Sequence, residues 1–225
     1  MKNIIKNITR LKHVWIFVPW VALNSCSDFL DRVPQDEIVD ETYWKTQEQL
    51  EMAVTGIYSR VKAKNIIDME NMGENTMWPT TTEYKDIGSG VFPVTQPTVD
   101  NEWRNMYRDI RECNVFLENY KRAQETVPGA NERLAAEVRV IRALGYSFLT
   151  SFYGDIPLIL LPLEPDDPQL YEGRKKQEEV VDFLIKELDE AAAVLPEKIP
   201  TGKDLGRISR GTALALKARI ALAYQ

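Results

Sequence analysis

The sequence predicts an all-α fold of stacked helix pairs joined by long irregular loops, and three observations carry that prediction. Apolar residues recur at steps of three and four in three long stretches, the spacing of one helix face. Those stretches are bounded by Pro128-Gly129, Gly154 to Pro157, Pro196 and Gly202 to Gly206, residues that stop helices and open turns. Helix starts near 101 and 131, and again near 177 and 208, lie about thirty residues apart, close to the 34-residue tetratricopeptide period of an α-α superhelix.

The chain opens with Lys2, Lys6, Arg10 and Lys12, then an apolar run from Val14 to Leu23, with no acidic residue before Asp28. Ten residues of helix span about 15 Å, half a bilayer core, too little for a membrane span. A basic start before a short apolar core reads as a secretory signal. Leu23-Asn24-Ser25-Cys26 resembles the lipobox of bacterial lipoproteins. The resemblance implies that residues 1–25 are a signal peptide and that Cys26 becomes the lipidated N-terminus. Acyl chains such as palmitate would then hold the protein to a membrane, each buried methylene contributing about 0.8 kcal/mol. Residues 26–45, acidic and carrying Pro34, follow as an N-terminal tether.

From residue 46 the helices can be taken in order. Thr46-Gln47-Glu48-Gln49 has capping-box spacing, and apolar residues at 50, 53, 54, 57, 58 and 61 mark a helix face behind it. Residues 64–100 carry three glycines and three prolines without a sustained period. Structureless loops of that length inside a domain are uncommon and often functional. Asp100 or Asn101 can cap the next helix, whose stripe is Trp103, Met106, Ile110, Cys113, Leu117 and Tyr120. Leu134, Val138, Ile141, Gly145, Phe148 and Phe152 form the following stripe. Gly145 costs a helix about 1 kcal/mol against alanine, so its place mid-stripe predicts a closely approaching neighbour. Val181, Leu184, Leu188, Ala192 and Leu195 mark a third long helix, and Ala213, Leu216, Ile220 and Tyr224 a last one beginning near Ser209. That helix is still apolar and periodic at Gln225, so the domain over 46–225 is expected to be incomplete at its C-terminus, with an exposed apolar stripe.

Composition excludes several functions. Beyond residue 25 the chain has 24 basic and 34 acidic residues, a net charge of −10, which repels phosphate backbones and makes nucleic acid an unsuitable partner. The one histidine, His13, lies in the signal segment, and Cys113 is the one cysteine after Cys26. No Ser-His-Asp or Cys-His arrangement, no His- or Cys-based metal site and no glycine-rich phosphate loop can be built. Neither an enzyme nor a cofactor is expected; two carboxylates across a cleft about 5–10 Å apart would reopen glycoside hydrolysis.

Four stretches in order resemble the SusD/RagB family of nutrient-binding outer-membrane lipoproteins. They are Cys26 to Asp31 with Pro34 and Tyr43-Trp44, then residues 103–119, 142–159 and 206–224. The resemblance implies a cell-surface protein, lipid-anchored in the outer membrane, that binds an oligosaccharide or another nutrient. It would work as a lid on a TonB-dependent transporter. Aromatic and polar side chains of loops over the helices would hold the ligand, since sugars stack C–H faces on rings. Trp78, Glu83 and Tyr84 are the candidates in the 64–100 loop; equally, Trp78 and Tyr84 could fold that loop onto the scaffold. The alternative function is an envelope helical-repeat scaffold without a small-molecule ligand.

Overall fold

Thr46 opens the first helix. Its hydroxyl accepts from the Gln49 amide at 3.3 Å while the Gln49 side chain accepts from the Thr46 amide at 3.0 Å, so two otherwise orphaned donors are satisfied together. The computed structural model describes residues 43–61, 69–73, 76, 83–198 and 201–224, and from Trp44 onward they form one unit. Among the described residues its α-helices of six residues or more are α1 (Gln47–Tyr58), α2 (Glu83–Gly88), α3 (Pro97–Asn119), α4 (Ala130–Tyr153), α5 (Gln177–Val194) and α6 (Arg210–Ala223). Among the described residues, β pairing is confined to two isolated bridges, Thr46 with Gln124 and Ile156 with Lys175.

The helices stack as expected. α3 packs on α4, α4 on α5 and α5 on α6, with α1 lying on α3 and α4. The start of α4 at 130 is 33 residues after that of α3 at 97, and α6 at 210 is 33 after α5 at 177. Leu134, Val138, Tyr146 and Leu149 of α4 and Leu184 and Leu188 of α5 are fully buried, each contributing roughly 1.5–3 kcal/mol by its removal from water. Cys113 is a core residue, and Trp44 meets Phe116 edge-to-face at 6.1 Å. A Cβ placed on Gly145 would stand 3.3 Å from Ile110 Cγ1, so the missing side chain does let α3 approach α4.

Three expectations need correction. The 64–100 segment is not irregular throughout: it holds α2, six residues too short for a periodic signal. α3 begins at Pro97, behind Gln96, rather than at Asp100 or Asn101. Proline is well placed at the first helical position, where its fixed φ fits and its missing N–H would have had no partner. Phe152, on the expected buried stripe, is 42% exposed and lines an open groove beside the end of α6.

Candidate functional site

Two of the stretches that carried the family resemblance, 103–119 and 142–159, meet one another in space. Asn114 of α3 donates to the Ile159 and Leu161 carbonyls at 2.9 and 3.3 Å, and accepts from Arg142 of α4 at 2.8 Å. Arg142 also pairs with Glu187 of α5, both buried. Tyr107 donates to the Pro157 carbonyl at 2.7 Å, while the Tyr146 hydroxyl bonds both the carbonyl and the amide of Ile159. The turn that ends α4 uses Gly154 at φ +69°, and Asp155 then accepts from the Gln177 amide at 3.0 Å and Lys176 at 2.9 Å. Those bonds hold the Asp155 carboxyl below its ordinary range and tie the turn to the start of α5. Arg207, ahead of α6, reaches the buried Glu137 carboxylate at 2.9 Å, which also accepts from Tyr58 at 2.9 Å. These polar residues are structural rivets, since a buried charge is costly without a partner, and of their fully buried side-chain atoms only Glu137 Oε1 and Arg142 Nε make no hydrogen bond.

The expected site residues divide. Cys26 and Trp78 lie outside the described residues. Tyr84 lies on α2, and its hydroxyl donates to Glu102 of α3 at 2.8 Å. The exposed Glu83 accepts from the Thr98 hydroxyl. Both therefore fix the loop to the N-terminal half of α3. Beyond α2, the Val91 amide returns to the Asp86 carbonyl and Gly90, at φ +71°, to Ile87, a Schellman closure. Val91, Phe92 and Val94 are left in solvent at 75, 43 and 103% exposure.

Three recesses open on the helical stack. A small apolar cleft of about 90 Å³ sits over Ile57, Ile110, Ile141 and Gly145, with Glu102 and Asp109 at its rim. Burial raises the Asp109 carboxyl above its ordinary value, and pushes the Cys113 thiol up to about 12, far from the thiolate a nucleophile needs. A groove of about 340 Å³ runs between Met69, Phe148, Phe152 and the end of α6. The roomiest, about 480 Å³, lies between α1 and α3 and carries Arg60, Arg108, Arg111 and Glu112 around Ala53 and Gly56. Sequence reasoning missed this groove; Arg108 and Arg111 at i, i+3 on one helix were the available signal, but their juxtaposition with α1 is tertiary. Among the described residues, no three His, Cys, Asp or Glu side chains gather as a metal site. Recognition, through guanidinium donors and exposed apolar groups, is the chemistry these surfaces offer.

Comparison with known proteins gives a consistent result. The SusD-like family model described as "starch-binding associating with outer membrane" matches residues 28–222. A SusD-like protein of Formosa agariphila is 26% identical over 94% of this chain and 42% of its own length. A SusD-like protein of Bacteroides ovatus is 26% identical over 88% of this chain and 37% of its own. The crystal structure of a SusD-like protein from Bacteroides fragilis superposes with a TM-score of 0.73 at 26% identity, covering 85% of this chain and 38% of that one. A second from the same species, a SusD-like carbohydrate-binding protein, gives 0.69 at 25% identity over 80% and 38%. The chain thus spans about two fifths of the length of the curated relatives it matches.

Proposed function

The chain belongs to the SusD-like family, and on that premise we propose that it is the helical part of a lipid-anchored outer-membrane protein. In this reading it binds a glycan or another nutrient at the cell surface and delivers it to a TonB-dependent transporter. The observation that carries the proposal is positional. The family match begins at residue 28, two residues after the lipobox cysteine Cys26, so an export-and-anchor signal directly precedes a fold whose relatives include a carbohydrate-binding protein. In this reading attachment falls to the acyl chains on Cys26, and durable attachment takes more than one chain; among the described residues no helix is long and apolar enough to cross a membrane.

The loop anchored by Glu83 and Tyr84 belongs to the ligand side of this reading, with Trp78 as its expected stacking ring. Catalysis is no part of it. The test is metabolic labelling with palmitate in cells expressing the intact protein or Cys26→Ala, followed by protease treatment of whole cells. Label on the intact protein alone, with the folded domain cleaved from outside, is the expected result. Export without label, or a labelled domain protected from protease, would overturn the anchoring and the surface location respectively.

A further inference from the structure

We propose that the groove between α1 and α3 is a subsite for an anionic saccharide, one bearing carboxylate or sulfate groups. The inference rests on the glycan-binding reading and adds the charge of the ligand and the residues that read it.

The groove differs from the rest of the surface. Beyond residue 25 the chain carries a net charge of −10, yet this recess gathers Arg60, Arg108 and Arg111 against Glu112. Three guanidiniums against one carboxylate leave the lining with an excess of positive charge, which draws an anion even where the net charge opposes it. Arg60 is committed to structure: its Nε and Nη2 bond both Glu112 oxygens, at 3.0 and 2.6 Å, across the two helices. Arg108 and Arg111 are held loosely. Arg108 reaches one Asp109 oxygen at 3.2–3.3 Å through Nε and Nη2, and Arg111 uses Nη2 for Glu164 and the Leu163 carbonyl, both at 3.3 Å. Their side chains are 54 and 49% exposed, where such pairs contribute little and exchange readily for a better partner. A ligand carboxylate or sulfate matches the guanidinium fork in a way a neutral hydroxyl does not.

The floor suits a sugar as well. Ala53, Gly56 and Val115 line it, giving an apolar strip for C–H faces between the polar edges. Gly56 stands in α1 with no atom within 4 Å of where its Cβ would be. It costs the helix about 1 kcal/mol against alanine, no close contact requires it, and its effect is to keep the groove wall open. A volume of about 480 Å³ falls within the range of small-molecule sites, about 300–1,000 Å³.

Affinity electrophoresis of the purified protein tests this, in native gels containing polygalacturonate, alginate or dextran sulfate, against gels containing starch, laminarin or dextran. Retardation by at least one polyanion is expected, weakened by added salt and roughly tenfold by each of Arg108→Gln and Arg111→Gln. Gly56→Leu, which removes a helix-breaking residue while filling the groove, is expected to weaken it too without lowering the thermal midpoint. Retardation by neutral polymers alone overturns the anionic ligand and leaves the glycan reading standing, while retardation by none overturns both. Retention of polyanion binding in both arginine variants removes the groove from the account. Binding of poly-glutamate in solution, with no polysaccharide retarded, assigns the groove to an acidic peptide instead.

Discussion

Between Pro97 and Val194 the chain buries whole side chains, with Leu134, Tyr146, Leu149, Leu184 and Leu188 out of water and the Arg142–Glu187 pair sealed among them. From Glu83 to Gln96, by contrast, only Gln96 is buried, and the segment rests on α3 through the Tyr84–Glu102 and Thr98–Glu83 hydrogen bonds. The difference teaches where change is tolerated. Cores lose several kcal/mol when a side chain is removed, whereas exposed loop positions typically move by about 0.5 kcal/mol or less. The stack can therefore keep its packing while the loop on α3 changes in sequence.

The largest expected effect lies in the buried pair. Glu187→Ala leaves Arg142 charged and unpaired in the interior, a loss of about 3–5 kcal/mol, and Leu188→Ala beside it costs about 2–5 kcal/mol. Urea unfolding followed by circular dichroism measures both. Phe92→Ala and Val94→Ala are expected to stay within about 0.5 kcal/mol of the parent; if either matched the α5 variants, the contrast between the two regions would collapse.

Alkali sharpens the contrast next. Burial raises the phenols of Tyr58, Tyr107 and Tyr146 well above 10, and that of Tyr153 to about 12. A raised folded value means that the stabilisation is whole below the ordinary value near 10 and is lost as pH climbs through the folded values. Ultraviolet titration should show these four phenols ionising late, together with unfolding of the stack. Ionisation near pH 10 in the folded protein would show that they are not buried as described.

Smaller effects belong to the periphery. Tyr84→Phe removes one hydrogen bond worth about 1 kcal/mol and should speed hydrogen exchange at the Gly90 and Val91 amides while leaving α4 and α5 amides unchanged. Asp155→Asn removes a carboxyl whose ionisation is favoured in the folded state by Lys176 and the Gln177 amide. Its contribution is present above the ordinary value of 3.8 and is lost as pH falls through the lower folded value. The variant should flatten the acid limb of the stability profile and barely alter it at neutral pH.

The same two regions differ in how far the sequence announces them. The stack is written in helical period, because every core position must recur on one face; Cys113, Gly145 and Ile220 all sit where the steps of three and four put them. The capping box at Thr46 is equally local. α2 was hidden because six residues cannot display a period, and the start of α3 because Pro97 looks like a breaker until it is seen at the first helical turn. The arginine groove was hidden for a deeper reason. Arg60 and Arg111 line one groove only after α1 packs on α3, and solvent-facing positions carry no periodic constraint. Glu83 and Tyr84 were legible as candidates, but not the bonds to Thr98 and Glu102 that fix them.

The central claim, a surface glycan-binding lipoprotein that serves a transporter, is tested most directly by a pull-down from native outer membranes. The bait is the full-length gene product with Cys26 intact, alongside its Cys26→Ala counterpart. Co-purification of a TonB-dependent transporter with the intact protein is the predicted result. A lipidated, folded protein that brings down no such transporter would contradict it and leave an envelope scaffold in its place.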